Sequence, residues 1–286
     1  MMENERKLAN PMLLIICVII LATIGYYFLQ PQQKTLQLTF LDVGQGDAAL
    51  VVTPKGQDIL IDGGPNDSVV AKLDKTIPFY SHKIDAIVLT HPHADHVAGL
   101  VAVAKKYQID KVYMSGVVHT APEYIAFLDE IKSHNIPVQL VKAGDSLDFG
   151  DGIHLDFLFP LTIMKDKTVD NLNNSSVVSR LSWGKSSALL MGDLESEGQD
   201  ELLASKPSLK SDILKFSHHG SKDSVNQKFL AEVAPKYAVI SVGKDNLFGH
   251  PNREALTLLS GVILFRTDYD GDVRFELTPE GVVAKM

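Results

Sequence analysis

The sequence predicts a four-layer αββα sandwich, two sheets face to face with helices outside, preceded by one N-terminal transmembrane helix. Three observations carry this. Short apolar runs of strand character alternate with longer amphipathic runs over most of the chain. A hairpin ending on an aspartate beside glycine occurs twice, over 54–62 and 183–193, closing at Asp62-Gly63 and Gly192-Asp193. An apolar strand then runs from Asp85 to His91, and a second from Asp212 to His218, each followed by a helix and a strand ending at Ser115-Gly116 or Ser241-Val242-Gly243. Two half-domains of hairpin, helix, strand, turn, helix and strand would pack sheet to sheet. A doubly wound sheet of βαβ units is the alternative, disfavoured by the paired antiparallel hairpins.

The first element is the uncharged run Met12 to Leu29. As a helix rising about 1.5 Å per residue it reaches about 27 Å, close to the thickness of a hydrocarbon core. Tyr26 and Tyr27 stand at one end, where interfacial aromatics gather. A secretory signal peptide is the competing reading, but Gln30-Pro31-Gln32-Gln33 offers no small-residue cleavage site. Ile16 before Cys17 also fits a lipoprotein box poorly. The expected organisation is a tail over 1–11, an anchor over 12–29, a linker over 30–35 and one domain over 36–286. Arg6 and Lys7 before the span outnumber Lys34 after it, so the positive-inside bias places the domain outside the cytoplasm, on a single-pass cell-membrane anchor.

Within the domain, residues 36–41 alternate as a half-buried strand and run into the turn Asp42-Val43-Gly44-Gln45-Gly46-Asp47. Strands over 48–52 and 59–61 flank Pro54-Lys55-Gly56. Helical features over 68–80 are broken by Pro78, a helix is expected over 97–107, a strand over 111–115 and a helix over 121–134 with Pro122 near its start. Short strands over 138–160 precede a hairpin over 177–191. Ser196-Glu197-Gly198-Gln199 resembles a capping box opening a helix to 205. A strand over 212–217, a helix over 224–233, a strand over 238–242, a helix over 252–260 and strands over 262–266 and 272–277 complete the chain.

Lys+Arg 27 against Asp+Glu 35 gives a net charge of −8, which disfavours wrapping a long duplex through many phosphate contacts. It leaves open cutting a phosphodiester at a metal, which brings its own positive charge. A single cysteine excludes an intramolecular disulfide and a cysteine-based zinc site.

The chemistry concentrates in His91-Pro92-His93-Ala94-Asp95-His96, directly after the apolar run 84–90. Imidazole nitrogen and carboxylate oxygen are the usual ligands of zinc and similar divalent ions. In a tight turn after a strand, residues 91 and 93 can converge on one ion, and 95 and 96 on a second. The plain alternative is a histidine-rich surface turn, against which the spacing and the strand-end position both argue.

These pieces resemble the metallo-β-lactamase superfamily, and within it the hydrolase-like domain of the ComEC/Rec2 competence proteins. The resemblance rests on Phe40-Leu41-Asp42-Val43-Gly44-Gln45-Gly46-Asp47, Leu60-Ile61-Asp62-Gly63-Gly64, the histidine motif, Met191-Gly192-Asp193, His218-His219-Gly220-Ser221 and Gly249-His250-Pro251. It spans about 36 to 275. Competence proteins also carry a polytopic DNA channel, which one anchor cannot form, so transport is not carried over. Most superfamily members have one more histidine before the last hairpin. Here that place holds Asn171-Leu172-Asn173-Asn174-Ser175, a feature shared with the competence branch. His119, His134 and His154 lie elsewhere and read as structural.

The resemblance implies two divalent ions, Zn2+ or Mn2+: one on His91 and His93, the other on Asp95, His96 and His219, with Asp193 bridging. The internal echo makes His218 the twin of His91, whereas the family pattern favours His219, leaving His218 beside substrate. Asn174 or water would complete the His91/His93 ion, and an oxygen-richer shell makes manganese plausible. Asp95 would also orient the metal-activated water, Asp62 would hold a metal histidine from behind, and Asp47 would line the same edge. His250 is a candidate proton donor or phosphate contact. Ser221 either touches an anionic substrate or caps the following helix. The implied function is a membrane-anchored hydrolase of phosphodiesters, nucleic-acid strands foremost. The alternatives are hydrolysis of a cell-surface phosphoester, lactone or β-lactam, and a non-catalytic domain that binds DNA or a protein partner.

Overall fold

The computed structural model describes residues 11–29, 35–78 and 81–285, with the backbone alone for residues 24 and 26–29. The chain divides into two units, Met1–Gln33 and Lys34–Met286. In the first, helix α1 (Pro11–Leu29) carries no charge and exposes apolar side chains such as Leu13, Leu14 and Ile19. Among the described residues no helix is long and apolar enough to cross a membrane, so the anchor expected over 12–29 finds no support there. Apart from Pro11 and Thr35, the expected tail and linker lie outside the described residues.

The second unit holds both half-domains. The first runs β1 (Leu36–Phe40), β2 (Ala49–Val52), β3 (Asp58–Ile61), α2 (Ser68–Thr76), β4 (Lys83–Ile84), β5 (Ala86–Leu89), α3 (Ala94–Lys106), β6 (Gln108–Ile109), β7 (Val112–Met114), α4 (Pro122–Ser133) and β8 (Val138–Leu140). The second runs β9 (Ser146–Gly150), β10 (Ile153–Phe159), β11 (Val178–Trp183), β12 (Ser186–Leu190), α5 (Ser196–Ala204), β13 (Ile213–Lys215), α6 (Gln227–Val233), β14 (Tyr237–Ile240), α7 (Arg253–Leu258) and β15 (Ile263–Arg266). Helix α8 (Thr267–Asp270) and the hairpin β16 (Val273–Leu277) and β17 (Val282–Lys285) follow.

One sheet has the order β17-β16-β1-β2-β3-β5-β7-β8, the other β15-β14-β13-β12-β11-β10-β9. The sequence echo is therefore structural. Antiparallel β1-β2-β3 continues into parallel β5, β7 and β8, and antiparallel β10-β11-β12 into parallel β13, β14 and β15. The closing hairpin returns to the first sheet, where β16 pairs with β1; β17 is absent from the sequence expectation.

Alternation sets the layers. Leu36, Leu38 and Phe40 of β1 join Leu155, Phe157 and Leu181 of the facing sheet in one core. The opposite face of the first sheet, through Leu60, Ile87 and Val112, packs on Val97, Leu100 and Phe127 of the helices. Leu189, Leu214 and Ile240 do the same against Leu202 and Phe229. Each such fully buried side chain contributes about 1.5–3 kcal/mol, and the result is the expected αββα sandwich. Even the aspartates before the histidine strands act in parallel. Asp85 accepts from the amide of Asp58 at 2.8 Å, and Asp212 from that of Ser187 at 2.9 Å, tying each strand to its neighbouring hairpin.

Three local expectations shift. The helix expected over 68–80 ends at Thr76, before Pro78, and residues 79–80 lie outside the described ones. Helix α3 begins at Ala94 with His93 as its N-cap, which puts Asp95 and His96 in the first helical turn. The capping box at 196–199 does not form, because α5 starts after Glu195 without a side-chain cap. Ser196 Oγ instead donates to the carbonyls of Asp223 and Val225, and Gln199 Nε2 to those of Leu194 and Ser224. Carbonyls at 194 and in the 223–225 turn claim the side chains that the local motif would have used.

Candidate metal centre

The C-terminal ends of four parallel strands of the two sheets converge. Asp62 follows β3, His91 follows β5, Asp193 follows β12, and His218-His219 follow β13. Asp62, His218 and His219 hold φ values of 59°, 49° and 51°. Left-handed backbone at a non-glycine residue is costly and gathers at functional sites.

Asp62 is fixed first. Its Oδ1 accepts from the Thr90 amide at 2.8 Å and its Oδ2 from Thr90 Oγ1 at 2.7 Å. The same Oδ2 stands 2.8 Å from His96 Nδ1, which turns His96 Nε2 toward Asp193 Oδ2 at 3.2 Å. His219 Nδ1 faces the carbonyl of Ser241 at 2.8 Å, so its Nε2 points at Asp95 Oδ2 (3.2 Å) and Asp193 Oδ2 (3.4 Å). His91 Nδ1 stands 3.1 Å from Thr90 Oγ1, and its Nε2 lies 2.9 Å from His93 Nδ1 and 4.0 Å from Asp193 Oδ2. All six expected ligands thus come together, with Asp193 Oδ2 between the two groups.

This donor set fits divalent ions. One ligand atom from each of Asp95, His96, Asp193 and His219 lies within 4.8 Å of the others. The far nitrogens of His96 and His219 are held by a carboxylate and a carbonyl, the arrangement metal-bound imidazoles use. Asp193 Oδ1 and Asp47 Oδ1 are buried without a hydrogen-bond partner, which is costly in a protein interior. The group of Asp95, His96, Asp193 and His219 offers four donors for one ion, and the His91 and His93 pair stands beside it, with His91 Nε2 4.0 Å from Asp193 Oδ2.

The electrostatics divide along the same line. Burial disfavours charge on His96, but Asp193, Asp62 and Asp95 outweigh it and hold this imidazole well above its ordinary value. The same contest, with Asp193, Asp47 and Asp95, lifts His219 to about 10. Burial and the charge of His96 push His91 well below its usual range, and burial lowers His93. Burial would raise Asp193, yet His219, His96 and Lys215 keep its carboxylate ionised.

Lys215 is the residue sequence reasoning passed over. It is buried, pairs with Asp47 Oδ2, stands 3.6 Å from Asp193 Oδ1 and donates to the Gly192 carbonyl at 3.1 Å. A lysine inside the apolar run Ile213-Leu214-Lys215-Phe216 was its only signal. Asp47 reaches this pair from its glycine-rich turn, whose amide donates to the Asp95 carbonyl at 3.1 Å. A Cβ on Gly46 would sit 2.2 Å from that same carbonyl oxygen, so the close approach requires glycine.

Around the cluster the remaining candidates separate. Asn174 Oδ1 accepts from the Glu195 amide at 3.1 Å and its Nδ2 faces Glu197, which places it against the start of α5. Asn173 is the buried asparagine. Its Nδ2 donates to Glu195 Oε1 at 2.7 Å and stands 3.4 Å from His218 Nδ1, while its Oδ1 has no partner. His218 also pairs with Glu195 at 3.3 Å, and His250 packs on the His218 ring at 5.7 Å between centroids. Ser221 accepts from the Asp223 amide at 3.2 Å, heading the turn 222–224, as its capping alternative requires. His134 and His154 pair with Glu130 and Asp148, away from the cluster. His119 lies nearer, 6.4 Å from the His93 ring, and both line an open cleft of about 660 Å³.

Histidine and aspartate donors converging at the strand ends of an αββα sandwich define a metal-dependent hydrolase. The chain belongs to the metallo-beta-lactamase superfamily, which matches it over residues 41–244. Over 260 residues it is 30% identical to ComE operon protein 3 of Bacillus subtilis (strain 168), covering 84% of this chain and 33% of that protein. Competence protein ComA of Neisseria gonorrhoeae is 29% identical over 276 residues, 93% of this chain and 36% of the other. The chain therefore spans about a third of the length of these competence relatives. A shorter match, 28% over 106 residues, is to Exodeoxyribonuclease WalJ of Streptococcus pneumoniae, covering 37% of this chain and 38% of that protein. Among solved structures, the metallo-beta-lactamase fold protein YhfI from Bacillus subtilis superposes with a TM-score of 0.56 at 16% identity, over 85% of this chain and 100% of the other. That likeness shows the fold.

Proposed function

We propose that this chain is a metal-dependent phosphodiesterase acting on nucleic-acid strands, DNA foremost, in a competence-related setting. The observation that carries this reading is the convergence of the His96, His219, Asp95 and Asp193 ligand atoms with His91 and His93 beside them. The likeness to competence proteins and to a protein named an exodeoxyribonuclease supports nucleic acid as the substrate class.

In this reading His91, His93 and Asp193 hold one divalent ion, and Asp95, His96, Asp193 and His219 a second, Zn2+ or Mn2+. Bound there, such ions would supply positive charge to a phosphoryl oxygen and make a water acidic enough to act as nucleophile near neutral pH. The chain's own residues do the positioning. Asp62 and the Ser241 carbonyl orient the two imidazoles from behind. Lys215 engages Asp47 and Asp193 Oδ1, which leaves Asp193 Oδ2 for the cluster. His218 and His250 stand on the rim, and burial with the neighbouring His218 lowers the His250 pKa. A neutral His250 would offer an N–H to a substrate oxygen rather than a full charge. The localisation that goes with this proposal, a single-pass cell-membrane anchor over 12–29 with the domain extracytoplasmic, rests on the sequence alone, on the uncharged run and on Arg6 and Lys7 before it against Lys34 after it.

The test is direct. The metal-loaded full chain should cleave single-stranded DNA and an aryl phosphodiester, and Asp193→Ala should lose about a thousandfold in kcat/KM on both, about 4 kcal/mol of transition-state stabilisation. A wild-type protein that holds its metal and leaves both substrates intact would end this reading.

A further inference from the structure

The loop 243–252 lies beside the cluster and has features that the catalytic reading does not use. At its apex Leu247 and Phe248 are 99% and 69% exposed. The loop is nevertheless well tied. Asn246 Nδ2 donates to the carbonyls of Gly243 (3.0 Å) and His250 (2.7 Å), and its Oδ1 accepts from the amides of Phe248 (3.2 Å) and His250 (3.0 Å). At one end the Gly243 amide donates to Gln45 Oε1 at 3.0 Å, in the turn that carries Asp47. A Cβ on Gly243 would lie 2.5 Å from the Gln45 nitrogen, so this clamp also depends on glycine. At the other end the Asn252 amide donates to the Gly220 carbonyl at 2.8 Å, in the turn that carries His219.

A path of rings joins the two regions. His219 and His218 are 6.1 Å apart between centroids, His218 and His250 are 5.7 Å apart, and Phe248 stacks on His250 at 5.9 Å with 26° between the planes. Isolated exposed apolar residues are ordinary on protein surfaces. An aromatic ring held by a four-bond loop, and continuing a ring path out of a metal cluster, has no explanation in core packing.

We propose that Phe248, backed by His250, determines specificity as a stacking platform for a nucleobase flanking the scissile phosphodiester. The platform makes the protein select single strands over duplexes and over diesters without a base. The inference rests on the phosphodiesterase reading above. Every base has a face to stack, and such stacking changes affinity about 5- to 100-fold per base without regard to sequence. Bases in a duplex are already stacked and paired, so a single strand alone offers one. The −8 net charge adds to the case, because base faces supply affinity that phosphate contacts on this chain do not.

The metal-loaded full chain and its Phe248→Ala and Phe248→Trp variants test this with oligothymidylate, an abasic oligonucleotide and methyl p-nitrophenyl phosphate. In Phe248→Ala the ratio of kcat/KM for oligothymidylate over the base-free diester should fall about 5- to 100-fold, through KM. Phe248→Trp should restore the ratio, and its added tryptophan fluorescence should be quenched by oligothymidylate and not by the abasic strand. An unchanged ratio, or an equal fall on both substrates, would overturn the platform. Quenching by phosphatidylglycerol vesicles in place of oligothymidylate would overturn it in favour of a membrane-dipping apex. If the wild type cuts no diester while base-dependent quenching persists, the catalytic reading fails and the platform stands.

Discussion

The two ligand groups of the centre are built differently. His96 and His219 each have the far nitrogen held at 2.8 Å, by Asp62 and by the Ser241 carbonyl. His91 leans on a hydroxyl at 3.1 Å, and His93 stands 2.9 Å from His91 at the edge of the open cleft. Carboxylates surround the first pair and keep it protonated without metal, whereas burial keeps His91 and His93 neutral. One side is a complete, charge-compensated socket, and the other is a pair of ready nitrogens short of a donor. Two ions should therefore bind with unequal affinity, the tighter one at Asp95, His96 and His219.

The largest effect separates the two sides outright. His219→Ala should weaken the tighter ion at least a hundredfold, beyond the 10- to 100-fold usual for outer partners, and His93→Ala should remove only the weaker one. Metal content after dialysis, measured by mass spectrometry, reads this; equal losses in the two variants would break the asymmetry. Asp62→Asn should follow with a 10- to 100-fold loss at the tight site alone, seen by titration calorimetry. A loss shared by both sites would mean that Asp62 supports the fold rather than the His96 ring.

Legibility in the sequence followed the distance over which a feature is encoded. Residues 91–96 lie within six positions, between the end of β5 and the first turn of α3, and their spacing announces the chemistry directly. Asp62 and Asp193 were readable because the half-domain repeats, so one strand end pointed to the other; at 218–219 the repeat pointed to His218, and the family resemblance favoured His219. The same echo carried the layer order. Lys215 was not readable, since its partners Asp47 and Asp193 arrive from other strands and only the folded chain brings them together. The Asn173–Glu195–His218 contacts were hidden for the same reason, and attention fell on Asn174 one position away. At Ser196 the local motif was legible but was overruled by carbonyls from a distant turn.

The protonated side also leaves a mark on stability. His219 rises from 6.5 unfolded to about 10 folded, so the folded state binds this proton more tightly. Its contribution is complete below pH 6.5 and is lost as pH rises through about 10. Metal-stripped protein should accordingly melt at falling temperatures from pH 6.5 upward, and metal-loaded protein, which needs a neutral imidazole, should show a weaker decline. Calorimetry on His219→Gln supplies the check. An unchanged slope in the stripped variant would remove His219 from the account.

The smallest expected effect lies outside the centre and shows what an aspartate does without the cluster's cations. Asp58 is buried at the head of β3, and burial together with nearby Asp85 pushes its pKa from 3.8 up to about 7, with Lys83 only partly opposing. Here the sign is opposite to that at Asp193. The folded state favours the protonated carboxyl, so this group's contribution to stability is complete below pH 3.8 and is lost as pH rises through about 7. Asp58→Asn should remove that penalty while the Asp58 backbone amide still donates to Asp85. Allowing for solvent at this partly screened site, the gain at pH 8 should be about 1 kcal/mol, or about 2–4 °C in melting temperature, vanishing near pH 4. Measured on metal-loaded protein, a gain of equal size at both pH values would show that the carboxyl's charge is not the cause.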